Sequence, residues 1–188
     1  MRDVLLRIQA ALPSLGEWIR HLHSTHANQA VPVIAHGYNR LSSHFPVSLL
    51  QATRSVSAAP VPFPPVAEYG LPEFSALAEK NMSGITFGDM YFFQPGQDTE
   101  SLHCHELVHV LQWRALGLDG FLLTYAIGIL EYGYEASPLE QIAYDIAGQF
   151  EAYTLPAIEV TTYVTRHAIR AREAAATACA QNGLRMSR

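Results

Sequence analysis

The chain has 188 residues, a formal net charge of −5 and 49% hydrophobic residues. This length allows one domain with a substantial core, and a charged fraction of only 15% excludes a disordered chain. Because the net charge is negative and the 12 Lys and Arg residues are scattered, we expect no nucleic-acid partner.

The N-terminal segment is predicted to be helical. Apolar residues recur at helical spacing on both sides of Pro13, which predicts one kinked helix or two short ones. Arg2, Asp3 and Arg7 interrupt the apolar core that a secretory signal needs. The most apolar run, residues 121–130, has about half the length of a membrane span. We therefore expect a cytoplasmic protein without a membrane span, although non-classical export stays open.

Proline residues divide the chain into segments of one predicted domain, residues 1–188. Residues 59–65 contain four prolines and are predicted to form an extended surface connector. This connector separates an N-terminal helical region, residues 1–58, from a core region, residues 66–156. A C-terminal helix is expected in residues 157–188.

The first half of the core is predicted to contain a short helix and then β structure. Residues 72–80 have helical character, whereas residues 85–93 combine β-branched and aromatic residues and allow a bulge at Gly88. Upstream of the connector, residues 48–56 are expected to pass from a helix end into a short strand. The strand of residues 85–93 could offer an open edge to an extended peptide or lie inside a sheet.

Four helices are predicted after this strand: residues 100–116, 120–134, 138–153 and 158–181. Asp98 or Thr99 can cap the first of these helices, and Gly117 is its natural terminator. Ser137 and Glu140 match a capping box at the start of the third helix.

The first of these helices contains two histidines four residues apart, in the sequence His105-Glu106-Leu107-Val108-His109. On an α-helix, side chains at this spacing emerge from one face, so both imidazoles can bind a single ion. Glu106 is rotated by one residue from His105, where its carboxylate can take a proton from water without being a ligand. We predict a Zn²⁺ ion bound by His105 and His109, with Glu106 as the catalytic general base.

Two histidines leave a catalytic zinc site one protein ligand short. No histidine follows His109 until His167, so we expect a carboxylate ligand. The candidates are Glu131, Glu135, Glu140 and Asp145. Glu140 is favoured because it starts a separate helix and is followed by the small Ala143. Glu140 could instead close the capping box with Ser137, in which case Glu131 or Glu135 would be the ligand.

Four stretches of the sequence together resemble a known family. They are Ile85-Thr-Phe-Gly-Asp89, His105-Glu-Leu-Val-His-Val-Leu-Gln112, Gly117 with Phe121 and Tyr125, and Pro138-Leu-Glu-Gln-Ile-Ala-Tyr144. They are similar to the small gluzincin-like domains of uncharacterised bacterial proteins, including those associated with contractile injection systems. The resemblance implies a zinc site of two histidines and a glutamate from a following helix, which correspond to His105, His109 and Glu140.

The sequence departs from the thermolysin-like gluzincins at one position. Those proteins carry an aspartate four residues after the glutamate ligand, where it supports the first histidine. This chain has Tyr144 at that position and Asp145 next to it. Support for the histidine is therefore expected from Tyr144 or from a different group.

Other residues near the motif are given supporting roles. Hydrolysis needs a donor for the oxyanion that forms as water attacks. The candidates are His103, Tyr132, Tyr134 and Tyr144. Gln112 is expected to hydrogen-bond near the site, with Trp113 and Leu116 packed beneath it. Cys104 faces about 100° away from His105, so it should pack rather than coordinate, and Cys104 and Cys179 are expected to be free thiols.

These features predict an α+β fold, in which a mostly helical zincin-like domain carries a small β-sheet. The helix of residues 100–116 is expected to face the glutamate helix of residues 138–153 across the metal. The predicted function is zinc-dependent hydrolysis of a peptide bond in a peptide or protein substrate. The alternative is a catalytically inactive, zinc-stabilised binding or assembly module, which a site sealed by the N-terminal helix would favour.

Overall fold

The computed structural model, which describes residues 1–80, 82–156 and 159–186, has a mostly helical α+β fold with one small sheet. In these ranges the α-helices are α1 (Arg2–His26), α2 (Leu41–His44), α3 (Val47–Ala52), α4 (Ser75–Ala78), α5 (Glu100–Tyr132), α6 (Pro138–Glu151) and α7 (Val160–Gln181). The strands are β1 (Val31–Pro32), β2 (Arg54–Ser57), β3 (Gly84–Phe87) and β4 (Met90–Phe93). The predicted fold class is confirmed.

The sheet is mixed and has the strand order β1-β2-β4-β3. β2 and β4 pair in parallel, whereas the β1–β2 and β3–β4 pairs are antiparallel. All four residues of β4 are buried, as expected for a strand covered on both faces. β3 forms one edge of the sheet and contacts α5, the helix that contains the two-histidine motif.

Residues 85–93 form a β-hairpin, so the bulge expected at Gly88 is wrong. β3 ends at Phe87 and β4 begins at Met90. Between them, Gly88 has a φ of +67°, a left-handed conformation that costs glycine little because it has no side chain. The glycine therefore marks the turn that pairs the two strands.

The N-terminal region combines a long helix with two strands. α1 continues through Pro13 as one helix and buries an apolar face that includes Leu5, Ile8 and Leu15. The region predicted as helical, residues 1–58, also supplies β1 and β2, and the expected passage from helix to strand is seen at α3 and β2. The connector, residues 59–65, contains neither helix nor strand, as predicted.

α5 contains the two-histidine motif and one non-helical residue. Gly117 has φ 68° and ψ 177°, whereas the residues on both sides of it are helical. Trp113 and Phe121 would be about 12 Å apart along the axis of a straight helix. Their ring centroids are 4.1 Å apart, so the chain turns sharply at Gly117. The predicted helix end is therefore confirmed, and α5 has a first part, residues 100–116, and a second part, residues 118–132.

α5 is also long and apolar enough to meet a length-and-hydropathy criterion for a membrane span. The relevant 18-residue window is 39% buried within the fold. Core helices of globular proteins meet the same criterion, so the finding is weak evidence for a membrane. α5 contacts α1, α6, α7 and β3, which makes it the central helix of this fold.

The two C-terminal helices pack on α5. α6 faces the first part of α5, as predicted, and begins at Pro138 with Ser137 as its N-cap residue. α7 begins at Val160, two residues later than the predicted start at position 158, which lies outside the described residues. Cys104 of α5 and Cys179 of α7 are both buried and unpaired in the described structure, as predicted for free thiols.

Candidate metal centre

α5 and α6 bring His105, His109 and Glu140 together in one group. The Nε2 atoms of the two histidines are 3.1 Å apart, and the Glu140 oxygens lie 3.6 Å from His105 Nε2 and 3.5 Å from His109 Nε2. A tetrahedral zinc ion with bonds of about 2.05 Å separates its ligand atoms by about 3.3 Å. The three side chains could therefore hold one metal ion.

The Glu140 carboxylate is buried, and only one of its two oxygens has a hydrogen-bond partner among the described residues. Its Oε1 accepts a hydrogen bond from the Tyr125 hydroxyl at 2.5 Å. Its Oε2 has no hydrogen-bond partner among the described residues. A buried carboxylate oxygen without a partner is costly, and a metal ion bound to this oxygen would remove that cost. The unsatisfied atom thus fits a metal ligand.

The capping box predicted at the start of α6 does not form. Ser137 occupies the N-cap position, but its side chain makes no capping hydrogen bond. The Glu140 carboxylate points to the two histidines instead of returning to the backbone of Ser137. The structure therefore removes the main competing role for Glu140.

The charges of Glu140 and His109 depend on each other. Burial lowers the pKa of His109, but the negative charges of Glu140 and Glu106 and the hydrogen bond with Gln112 together outweigh burial and raise this pKa to about 9. Burial raises the pKa of Glu140, yet the positive charge of His109 and the nearby ring of His105 hold it well below its ordinary value. Without a metal, a proton on His109 balances the buried carboxylate, and a metal cation can replace that proton.

Glu106 lies on α5 between the two histidines, next to the three side chains that could hold a metal ion. Its Oε2 accepts a hydrogen bond from Thr86 Oγ1 of β3 at 2.5 Å. A Cβ atom at Gly84 would lie 3.0 Å from Glu106 Cδ and closer still to Oε1, so a side chain at this position would displace the carboxylate. Burial raises the pKa of Glu106, although the nearby histidines oppose this effect. A carboxylate with a raised pKa is a stronger proton acceptor.

Gln112 supports His109, as predicted. Its Oε1 accepts a hydrogen bond from His109 Nδ1 at 2.9 Å, and its Nε2 donates to the Leu139 carbonyl at 2.8 Å. These bonds direct His109 Nε2 toward the site. His105 contacts the Tyr144 ring, with centroids 4.8 Å apart, so Tyr144 packs on the histidine as its position suggested.

An aromatic stack under the site was not predicted from the sequence. Tyr125, which bonds to Glu140, stacks on Phe121, and Phe121 stacks on Trp113. Trp113 Nε1 then donates to the Thr86 carbonyl at 3.2 Å. The stack therefore connects the residue that holds Glu140 to the residue that holds Glu106.

The other predicted site residues lie away from this group or at its margin. Glu131, Glu135 and Asp145 are exposed, so they are poor candidates for the third ligand. Tyr132 is 57% exposed, whereas Tyr134 lines the cavity next to the ligands. Of the four proposed oxyanion donors, Tyr134 is therefore the one best placed.

His103 belongs to a second group of ligand-type residues, with His36 and Asp98. His103 Nε2 and Asp98 Oδ1 are 2.6 Å apart, and His103 Nδ1 hydrogen-bonds to the Tyr91 hydroxyl. His36 Nε2 is 2.7 Å from Ser55 Oγ. A separation of 2.6 Å is that of a hydrogen bond and is shorter than the about 3.3 Å between ligands of a tetrahedral ion. We interpret this group as a hydrogen-bonded network that engages both ring nitrogens of His103. The prediction of His103 as a candidate oxyanion donor is therefore wrong.

No protein-family model matches the chain, and no curated protein or solved structure shows significant similarity to it. The resemblance to gluzincin-like domains therefore stays a prediction from short motifs. Any functional conclusion has to come from the geometry of the site.

Glu140→Gln is expected to weaken zinc binding strongly. Loss of a group that only supports a ligand lowers zinc affinity by about 10- to 100-fold, and loss of a ligand should lower it further. The substitution keeps the size of the side chain but removes the charge of a ligand. Titration of zinc into metal-free protein would measure the effect, with Glu131→Gln as a control because Glu131 is exposed. Unchanged affinity for Glu140→Gln and a large drop for Glu131→Gln would move the third ligand to Glu131.

Tyr125→Phe is expected to reduce zinc affinity by about 10- to 100-fold. The ring keeps its stacking on Phe121, but the hydroxyl that orients Glu140 is lost. Tyr38→Phe is a matched control, because the Tyr38 hydroxyl bonds to the Asp98 carboxylate outside this site. Equal zinc affinities for the two variants would show that the Tyr125 hydroxyl does not position the ligand.

Proposed function

We propose that this protein is a zinc-dependent metallopeptidase that hydrolyses peptide bonds in a peptide or protein substrate. One observation carries the proposal: the buried carboxylate of Glu106 adjoins three ligand groups spaced for a single ion. Two imidazoles and one carboxylate are a common ligand set of catalytic zinc, and they leave a fourth position for water or substrate.

The residues around the ligands support a hydrolytic mechanism. Zinc, when bound, would supply a Lewis acid that polarises the substrate carbonyl and lowers the pKa of water. Glu106 accepts a proton from the attacking water and returns it to the leaving nitrogen, while the Thr86 hydroxyl fixes the orientation of its carboxylate. Burial raises the pKa of Tyr134, so its hydroxyl stays protonated and is available to donate to the developing oxyanion.

The second candidate function is a catalytically inactive, zinc-stabilised binding or assembly module. It is favoured by the burial of the site: Glu106 and Glu140 are 2% and 1% exposed, and α1 contributes part of the cavity wall. In this case zinc would join α5 to α6, and a partner protein would replace the substrate.

We also propose that the protein is soluble and cytoplasmic. The support is the packing of α5 against α1, α6, α7 and β3. α5 also carries buried polar side chains, among them Glu106 and Gln112, that make hydrogen bonds within the fold. Such a helix is typical of a protein core.

Removal of the metal separates the two functions. Treatment with a zinc chelator is expected to abolish hydrolysis of a fluorogenic peptide library and to lower the Tm, and added zinc should restore both. Hydrolysis that persists at full rate without metal would contradict the proposed mechanism. A Tm that depends on zinc in a protein that cleaves no peptide would favour the binding module.

A further inference from the structure

The metal ligands face a cavity of about 120 Å³. Its polar end consists of His105, His109, Glu140 and the catalytic Glu106. Away from that end the walls are apolar and come from α1, the connector, residues 71–77, β3 and the second part of α5. Among the described residues that line the cavity, acidic and basic side chains occur only at that end. The cavity is therefore chemically divided into a reactive end and an apolar end.

The size of the cavity limits what its apolar end can accept. An apolar protein cavity of about 150 Å³ stays dry and binds benzene. A cavity of about 120 Å³ is thus of the right size for one branched aliphatic or aromatic group. A charged group would lose its hydration there without gaining a partner. Leu15, Phe74 and Ile129 supply the kind of surface against which such a group is buried.

We infer that the substrate places one large apolar side chain, between leucine and phenylalanine in size, in this cavity while the cleaved carbonyl lies at the ligand end. The substrate class is therefore a peptide with a large apolar residue next to the cleaved bond. The inference rests on the proposed function, because it requires a metal ion with an open position at His105, His109 and Glu140. Burial of a leucine- or phenylalanine-sized group should strengthen binding by about 10- to 100-fold.

Hydroxamic acids test the inference without requiring hydrolysis, because they bind zinc directly. We expect 3-phenylpropanohydroxamic acid to bind the zinc-loaded protein about 10- to 100-fold more tightly than acetohydroxamic acid does. The monohydroxamate of succinic acid, which has a charged end, should show no such gain. Isothermal titration calorimetry gives the three affinities under one set of conditions.

Two matched substitutions locate the apolar group in the cavity. Ala126 lines the cavity, and Ala126→Leu should bring the affinity ratio of the phenyl and acetyl probes close to one. Ala10 is exposed on α1, so Ala10→Leu should keep the wild-type ratio. Ile129→Phe is a second filling substitution with the same expected result, should Ala126→Leu fail to fold.

The outcomes distinguish this inference from the proposed function. Equal affinities for the phenyl and acetyl probes in the wild-type protein would overturn the inference and leave the zinc site in place. A wild-type ratio retained by the filled variants would also overturn it, because the apolar group would then bind elsewhere. Zinc-loaded protein that binds none of the three probes would overturn the proposed function and the inference with it.

Discussion

Replacing His109 by alanine is expected to abolish tight zinc binding. In the proposed site His109 supplies one of three ligand atoms, and its Nε2 lies 3.1 Å from His105 Nε2 and 3.5 Å from Glu140 Oε1. The two remaining groups cannot complete the three protein ligands that catalytic zinc commonly has. Zinc affinity should fall by more than the about 10- to 100-fold that removal of a supporting group causes. Elemental analysis and zinc titration would measure it.

The same substitution should also destabilise the metal-free protein. The Glu140 carboxylate, which is 1% exposed, would lose the histidine that balances its charge. Breaking a buried ion pair on one side typically costs about 3–5 kcal/mol. His21→Ala is the matched control, because His21 is exposed on α1 and should affect neither zinc content nor the free energy of unfolding. Equal zinc content in the wild type and in both variants would place the metal elsewhere.

Glu106→Gln is expected to keep zinc and lose hydrolytic activity. The amide has nearly the same shape, and its oxygen can still accept the hydrogen bond from Thr86. It cannot accept a proton as a general base, a role that contributes about 10²- to 10⁴-fold to the rate. The measurement is kcat for peptide hydrolysis together with the zinc content of the same sample.

Glu131→Gln is the matched control for the loss of activity, since Glu131 is exposed on the same helix. It should retain wild-type kcat and one zinc ion per chain. Wild-type activity in Glu106→Gln would exclude this residue as the base. Loss of zinc from Glu106→Gln would show instead that Glu106 is itself a ligand.

The two histidines could be paired from the sequence because their relation is local. Four residues make about one helical turn, so His105 and His109 share a face wherever the helix packs. The same geometry also contains the signal against His103 as an oxyanion donor. Two residues before His105 correspond to about 200° around the helix, which directs His103 away from the proposed metal site. Helical spacing therefore argues against His103, although this residue lies close to His105 along the chain.

The role of Glu140 was harder to predict because two local interpretations competed. The sequence Ser137-Pro138-Leu139-Glu140 matches a capping box, and nothing local shows which partner the carboxylate has. The choice depends on how α6 packs against α5, which brings the histidines within 3.6 Å of the Glu140 oxygens. Packing between helices is long-range information that periodicity does not contain.

The hydrogen bonds from Tyr125 and Thr86 could not be predicted for the same reason. They join residues that are 15 and 20 positions apart in the sequence. The first depends on the direction of the chain after Gly117, and the second on the hairpin that brings β3 to α5. The hairpin turn was also missed, because a glycine within a β-rich run fits both a bulge and a turn.

The break at Gly117 also makes the site sensitive to chain length. It lies eight residues before Tyr125, and the second part of α5 must present the hydroxyl to Glu140 in one helical register. Insertion or deletion of a single residue between these positions would rotate the hydroxyl by about 100° around the helix axis. Many exchanges of one residue for another in this stretch preserve that register. Among related sequences, the number of residues in this interval should therefore vary less than their identities.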